Sequence, residues 1–432
     1  MKTKTVIFLL IFILYVLKIG AQDKLILSLE EAKDYAIEYN KYVKNADLAV
    51  QEAQKKVNES ISMGLPQADA SVDYSNYLGA EMEIRFQPEA PPTTIPFDPT
   101  SNLNLTVSQL IFNGNYIVGL QAAKLYKEIT QTNYLKTEQD IKEQVTKSYY
   151  NALVSDKSIG IILNNLENTK EIFEKTKAMA SVGMAERLDV DQFEVQVTSL
   201  ENALKSAERQ KELSYNLLRF QLGVPVETMI ELTDSLNGMI SAFEYQALAG
   251  TQFSLQNNLD YQLMLKQEQL SNKQVSLQKM NYLPTLTGFY SYTNKLLKPQ
   301  FDLSPKNVIG LNLNIPLLSS GMRNAQLSQA RIQYETTMNN KDLLTSQLLL
   351  QEKQIRYNLA TAMEQYENRE KNVDVAYRIY KNYQFKYEQG IASSLDLSIS
   401  NNNYLQAESD FLMAIITLFD ARVALQKLMN LL

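Results

Sequence analysis

The sequence predicts a mainly α-helical fold with a β-barrel part: an internally duplicated, long-helix α-barrel plus four strands per chain that contribute to a trimeric, 12-stranded transmembrane β-barrel. Three observations predict this class. The phrases "SVGMAERLDV" (181–190) and "EQGIASSLDL" (388–397) share glycine, leucine and aspartate positions 207 residues apart. Four short segments alternate apolar and polar residues. Long proline-free stretches carry a heptad pattern.

The first predicted element is a signal peptide over residues 1–21. Lys2 and Lys4 precede an apolar run (6–17), and small residues offer a cleavage point before Gln22. Twelve residues are too few for a spanning helix, which needs about 20. The alternative, a retained membrane anchor, is disfavoured by that length.

The mature chain is predicted to contain two structural repeats of the same design. Each consists of a helix, a β-hairpin, a long helix, a tip turn and a second helix. The predicted bounds are 22–225 for the first repeat (hairpin 66–112, tip turn 181–186), 226–250 for a linker or equatorial segment, and 251–432 for the second repeat (hairpin 284–318, tip turn 388–394).

The prediction of the hairpins rests on apolar residues that recur every second position. Apolar and polar residues alternate along four segments, 67–75, 102–108, 285–292 and 309–315, which is the pattern of strands with one apolar face. A Leu-Pro pair opens each hairpin, where proline can end the preceding helix. The connection at 88–100 is expected to form neither strand nor helix because it is rich in proline.

The prediction of the helices rests on apolar residues that recur every seventh position. Ala152, Ile159, Leu166 and Phe173 lie seven residues apart, as in helices packed side by side. One helix over 115–180 would span about 100 Å. The half-length segments are 29–62 and 186–222, and the second repeat matches the set with 251–282, 320–387 and 394–431.

Each repeated phrase is predicted to be the tip of a helical hairpin. Gly183 and Gly390 can adopt the left-handed conformation that ends a helix. Turn geometry alone accounts for these glycines. It does not account for Val182, Met184 and Ile391, apolar residues where solvent should be closest. We therefore expect the tips to bind a partner.

Composition excludes several functions. The chain has no cysteine and no histidine, which removes thiolate chemistry, histidine general bases and the usual zinc sites. Its net charge of −6 disfavours a nucleic-acid partner, which needs a basic surface. We expect no enzymatic activity, no cofactor and no metal.

Assembly follows from the number of strands. Four strands are too few to close a barrel, since the smallest membrane barrels have about eight. Chains must therefore pool their strands, and a homotrimer would supply twelve.

The ordered and duplicated motifs resemble the outer-membrane efflux protein family (TolC-like outer membrane factors). They include "SQLIFNG" and "IPLLSSG" at the strand ends and "VGMAERLD" and "QGIASSLD" at the tips. The resemblance implies the outer-membrane channel of a tripartite efflux or type I secretion system. It implies the outer membrane of a Gram-negative bacterium, a large periplasmic extension and contact with outer-membrane lipid. The implied partners are two more copies of the chain, a periplasmic adaptor (membrane fusion protein) and an inner-membrane pump of the RND, ABC or MFS type.

The resemblance also assigns residues by position. The implied adaptor-docking residues are Val182, Gly183, Met184, Ala185 and Leu188 at the first tip and Gly390, Ile391, Ala392, Ser393 and Leu395 at the second. Asp396 and its counterpart Asp189 match a periplasmic gate. A ring of Asp396 carboxylates would favour cations, and the like charges would raise the pKa of these carboxylates. Ile399 and Ala392 stand where some members carry a second aspartate and an arginine of the closing network.

Two other functions remain open at the level of sequence. An exported coiled-coil structural or adhesion protein without channel activity would explain the heptads but not the four amphipathic strands. An exported carbohydrate-active enzyme could use acidic pairs without histidine or cysteine, although the helical segments show no clustered polar pocket.

Overall fold

A computed structural model describes residues 24–85, 87, 91–241, 245–299, 302 and 304–432, so the predicted signal peptide lies outside the described residues. The elements are β1 (Leu25–Leu27), α1 (Leu29–Tyr39), α2 (Lys41–Ser62), β2 (Gln67–Ser75), β3 (Glu81–Ile84), β4 (Thr93–Pro96), β5 (Thr100–Phe112), α3 (Gly114–Ser181), α4 (Arg187–Leu222), β6 (Ile230–Leu232), α5 (Leu236–Ser241), α6 (Tyr245–Gly250), a 3₁₀ helix (Leu255–Asn257), α7 (Leu259–Met280), β7 (Thr285–Leu297), β8 (Asn307–Asn314), α8 (Met322–Glu388) and α9 (Ser394–Leu428).

The predicted class of long helices with a few strands is confirmed. Helices α3 and α8 contain 68 and 67 residues, and each is followed by a helix of about half that length. Within the described ranges, no helix combines the length and the apolar character needed to cross a membrane.

Unit 1 comprises the described parts of Met1–Asp47, Asn133–Gln262 and Leu344–Leu432. Its core is formed by side chains from both repeats. Leu218 of α4 and Leu425 of α9 are fully buried, and the rings of Tyr150 and Phe419 stack with centroids 4.0 Å apart. The repeats therefore share one hydrophobic core in this unit, and neither buries its apolar face alone.

A buried tyrosine anchors the equatorial segment in unit 1. The Tyr149 hydroxyl lies 3.0 Å from the Leu27 carbonyl and 2.8 Å from Asp234 Oδ2, which also accepts the Leu29 N–H. Burial and the Asp234 carboxylate raise the pKa of Tyr149. These bonds tie the residues after β6 to α3 and to the start of α1.

Unit 2 comprises Leu48–Thr132 and Leu263–Leu343 and contains an antiparallel sheet in the order β2-β5-β7-β8. Both predicted hairpins are present, as β2 with β5 and β7 with β8. Strands β5 and β7 join them, with Val107 opposite Tyr290. Among the described residues, β2 and β8 are the edge strands.

The two faces of this sheet differ in chemistry. On one face Asp73 accepts hydrogen bonds from Asn102 (2.9 Å) and Asn104 (2.6 Å), and Thr106 lies 3.2 Å from Ser291. The other face carries exposed apolar side chains, namely Val72, Tyr74, Leu105, Val107, Tyr290, Ile309, Leu311 and Leu313. The apolar face is therefore bare in the single chain, and the polar face is hydrogen-bonded.

The single helix expected over 29–62 is wrong, because the chain breaks at Asn40 into α1 and α2. Asn40 has an extended backbone, with ψ of 134°. Its side chain donates to the Gln221 carbonyl at 2.7 Å and accepts the Tyr42 N–H at 2.7 Å. The amide thus caps α2 and bonds to α4. These two hydrogen bonds compensate for the backbone hydrogen bonds that are lost where the helix is interrupted.

The expectation of no strand at 88–100 is also wrong. Strand β4 pairs with β3 in a two-stranded sheet apart from the four-stranded one. Pro96 ends β4, which is an edge strand of this two-stranded sheet, and a missing N–H is tolerated on an edge strand. The equatorial segment also holds β6, which pairs in parallel with β1.

Candidate functional site

Helix α3 ends in a Schellman turn at the first tip. Gly183 has φ of +80°, its N–H donates to the Ala180 carbonyl at 3.1 Å, and the Met184 N–H donates to the Met179 carbonyl at 2.8 Å. Val182 and Met184 are 68% and 72% exposed. The turn therefore satisfies the last carbonyls of α3 while it presents two apolar side chains to solvent.

Helix α8 ends in the same motif at the second tip. Gly390 has φ of +70°, its N–H donates to the Tyr387 carbonyl at 2.9 Å, and the Ile391 N–H donates to the Lys386 carbonyl at 2.8 Å. Ile391 is 73% exposed. The repeated sequence phrase thus corresponds to a repeated turn geometry.

The two predicted gate aspartates each occupy the third position of the helix that follows a tip. The Ser393 Oγ accepts the Asp396 N–H at 3.1 Å and Asp396 Oδ2 accepts the Ser393 N–H at 3.3 Å, which forms a capping box. The Ser393 hydroxyl also donates to Asp396 Oδ2 at 2.7 Å. Asp189 accepts the Glu186 N–H at 3.1 Å. Hydrogen bonds from the Ser393 side chain and backbone lower the pKa of Asp396, opposite in direction to the rise expected for a ring of carboxylates.

The two tips lie against each other within the chain. The buried Ser394 hydroxyl contacts Asp189 and lies 2.7 Å from Gln192, and Ser398 donates to Gln196 at 3.1 Å. A cleft of about 510 Å³ lies between the turns, lined by residues of both. The sequence offered no signal for these contacts, because they join side chains about 200 residues apart.

A small apolar cluster packs all four tip helices together. Its buried members are Ile172, Phe193, Tyr380 and Leu397, one from each helix. Burial raises the pKa of Tyr380 to about 12. The hydroxyls of Thr176 and Tyr387 are 2.7 Å apart beside this cluster. The heptad pattern indicated Phe173, whose equivalent 207 residues further on is Tyr380, but did not indicate Phe193 or Leu397.

A reciprocal amide pair joins α3 to α9. Asn165 donates to Asn401 at 2.6 Å and accepts from it at 3.2 Å, and both residues are 3% exposed. The pair interrupts an apolar seam. Such a buried polar pair specifies one register between the helices, because any slip would leave the amides without partners.

We expect Asn165→Leu to lower the free energy of unfolding by about 1–3 kcal/mol, because it leaves Asn401 buried without its partner. Asn165→Leu combined with Asn401→Leu should recover most of that loss. The measurement is the midpoint of chemical unfolding, followed by helical circular dichroism. The exposed Asn402→Leu is the control and should change the midpoint little. Equal losses in the single and double variants would contradict this account.

The structure places the predicted docking residues in two adjacent groups. Val182, Met184, Leu188, Ile391 and Leu395 are exposed, Leu188 by 64% and Leu395 by 53%. Ala185 and Ala392 are half-buried at the cleft, and Ser393 caps α9. All are accessible in the single chain, as docking requires. Their docking role remains a prediction.

Paired long helices with apolar tips, together with an amphipathic sheet open at both edges, are the features of an outer-membrane channel protein. The chain belongs to the outer membrane efflux protein family, which its sequence matches over residues 34–224 and 251–431. The resemblance seen in the motifs is thereby confirmed.

Solved structures with the same fold include three outer-membrane proteins. VceC from Vibrio cholerae has a TM-score of 0.74 at 16% identity, covering 93% of this chain and 96% of that one. The Campylobacter jejuni CmeC channel has a TM-score of 0.72 at 18% identity (93% and 85% covered). The Neisseria gonorrhoeae MtrE channel in its open state has 0.74 at 15% identity (93% and 88% covered). A search of curated proteins found no match.

Family membership gives the protein the role of an efflux channel in the outer membrane. The family and fold are those of channels, which are not enzymes. The alternative of a coiled-coil adhesion protein without channel activity is not favoured.

Proposed function

We propose that the protein is the outer-membrane channel of a tripartite efflux or type I secretion system. In this proposal it works as a homotrimer with a periplasmic adaptor and an inner-membrane pump. The bare apolar face and open edges of the four-stranded sheet carry the proposal, because a single chain leaves both unsatisfied.

The sheet supports assembly with identical copies. Strands β5 and β7 join the two repeats within one chain. The equivalent contact between chains would pair β8 of one copy with β2 of the next. Three copies would then form a closed barrel of twelve strands, above the lower limit of about eight. Its apolar face would contact lipid, and its hydrogen-bonded polar face would line the channel.

The tips support the adaptor as a partner. The exposed apolar residues are Val182, Met184 and Leu188 at the first tip and Ile391 and Leu395 at the second, and residues of both turns line one cleft. The hydrogen bonds of each turn already fix the backbone that carries these side chains, so an apolar socket in a partner could bury them without ordering the turn. We propose that these five residues dock the adaptor together with the other five tip positions that the family resemblance implies.

The gate assignment rests on position. Asp396 and Asp189 lie in the first turns of the helices that leave the tips, so a ring of three chains would bring their carboxylates toward the periplasmic mouth. We propose that this ring of side chains narrows the channel there.

The purified protein tests the assembly and the channel together. We expect a heat-resistant trimer on denaturing gels and stepwise conductance after insertion into a planar bilayer. The control is the same preparation unfolded in chemical denaturant before the measurement. A soluble monomer without conductance would contradict the proposal. It would favour the alternative of a structural or adhesion protein.

A further inference from the structure

We propose that α4 of a second copy of this chain covers the exposed face of α8 and α9 near the tips, with Arg187 of one subunit paired with Asp396 of its neighbour. This inference rests on the homotrimer of the proposed function. It adds to that function the residues that join subunits at the channel mouth.

The internal duplication extends from sequence to structure with a constant offset. Gly183 and Gly390, 207 residues apart, both have positive φ in the same turn. At the far ends of the following helices, Gly223 and Asn430 are again 207 apart and adopt φ of +75° and +59°. Equivalent positions in α4 and α9 can therefore be identified residue by residue.

Within the chain, α9 packs on α3 and α4 through polar contacts between the repeats. They include Ser394 with Asp189 and with Gln192, Ser398 with Gln196, and Asn401 with Asn165. In a closed ring of equivalent repeats, the contact between repeats 1 and 2 of one chain recurs between repeat 2 and repeat 1 of the next. The recurring contact brings α4 of the neighbour onto α8 and α9.

The positions 207 residues away show what this contact would contain. Three of the equivalent pairs are polar; with the residue of the neighbouring α4 first, they are Arg187 with Asp396, Asp191 with Asn403, and Glu194 with Asn372. The equivalent of the Ser394–Gln192 contact is Arg187 with Ile399. Each of the three polar pairs is complementary: one is a cation with a carboxylate, and two are carboxylates with amide donors. None brings like charges together, although the duplication does not require this result.

The groups of the charged pair are accessible in the single chain. The Arg187 side chain is 85% exposed and makes a local ion pair with Asp191, one turn along the helix. Asp396 is exposed, and both of its bonds to Ser393 use Oδ2. Oδ1 therefore remains as an acceptor for a group from outside the turn.

Burial points to the same face. Ile172 of α3 is 4% exposed because it packs with Leu397 of α9 and its neighbours, whereas its equivalent on α8, Ile379, is 47% exposed. The face that α9 covers in repeat 1 is thus bare in repeat 2. A second copy supplies a matching cover, because its α4 is the equivalent of α9.

The pairing changes the expected electrostatics of the mouth. Three carboxylates without partners would attract cations. Three Arg187 guanidinium groups beside them would compensate that charge and link the subunits. Arg187 of the neighbouring subunit would then supply a positive charge like the one that some family members carry at the position of Ala392.

Disulfide trapping tests the contact, and the chain has no native cysteine to interfere. Arg187→Cys and Asp396→Cys are placed on separately tagged copies and co-expressed. We expect a disulfide-linked pair that carries both tags, and a covalent trimer when both substitutions are in one chain. Asp189→Cys with Ser394→Cys in one chain is the matched control and should close within the monomer.

The outcomes separate this inference from the proposed function. Heat-resistant trimers of the cysteine variants without a disulfide between subunits would overturn the inference and leave the channel intact. A wild-type protein that never forms trimers would overturn both. Glu194→Cys with Asn372→Cys provides a second site if the first variant fails to assemble, and the same linked pair is expected there.

Charge exchange gives an independent measurement. Arg187→Asp and Asp396→Arg should each weaken the heat-resistant trimer, and the two together should restore it. Arg187→Ala should also create block of the conductance by magnesium ions, which the paired wild-type ring would lack. Strong magnesium block of the wild-type channel, unchanged by Arg187→Ala, would overturn the pairing.

Discussion

Leu311→Lys is expected to prevent stable assembly of the protein in the outer membrane. Leu311 lies opposite Gly288 on the apolar face of β8 and is 71% exposed in the single chain. In the proposed barrel this side chain contacts lipid. A lysine at the middle of the bilayer costs about 2–4 kcal/mol, and a trimer would bear that cost three times.

The measurement is the amount of heat-resistant trimer in the outer-membrane fraction. Asn312→Lys is the matched control, since the adjacent residue pairs with Thr287 on the polar face. It should assemble nearly as well as the wild type. Normal assembly of Leu311→Lys, or equal failure of both variants, would show that the faces are assigned incorrectly.

Gly390→Val is expected to abolish export while the trimer still assembles. The φ of +70° at this glycine is strained for a β-branched residue, at a cost of about 1–3 kcal/mol. No side chain or backbone lies within 4 Å of a Cβ built there, so the cost comes from backbone strain. The turn would shift, and with it the adjacent Ile391.

The readout is the susceptibility of cells, with this variant as their only copy, to compounds whose export needs the channel. Gly390→Asn is the control because asparagine tolerates the left-handed conformation, and it should retain most export. Full export by Gly390→Val would remove the tip geometry from the docking mechanism. Loss of the trimer would instead indicate a general folding defect.

The parts of the fold that the sequence predicted are those with a local periodic signal. The four strands of the sheet alternate with period two, and β2 was predicted at its observed bounds of 67–75. The long helices α3 and α8 begin and end within about two residues of their predicted limits. The tip glycines were identified because the same turn sequence occurs twice, 207 residues apart.

The errors occurred where a pairing contact outweighs the local pattern. Asn40 breaks an otherwise helical segment because its amide bonds Gln221. Strand β4 forms within a proline-rich segment because β3 provides a partner and Pro96, its one proline, ends the strand. Neither partner can be inferred from the residues next to it.

By itself, the sequence determined the duplicated architecture, the amphipathic strands and the position of the tips, because periodicity and turn chemistry act over a few residues. Only the tertiary structure decided that Ser394 meets Asp189, that Asn165 meets Asn401, and that the face around Ile379 is left bare. Those features depend on how helices about 200 residues apart pack against one another, and no local pattern encodes that packing.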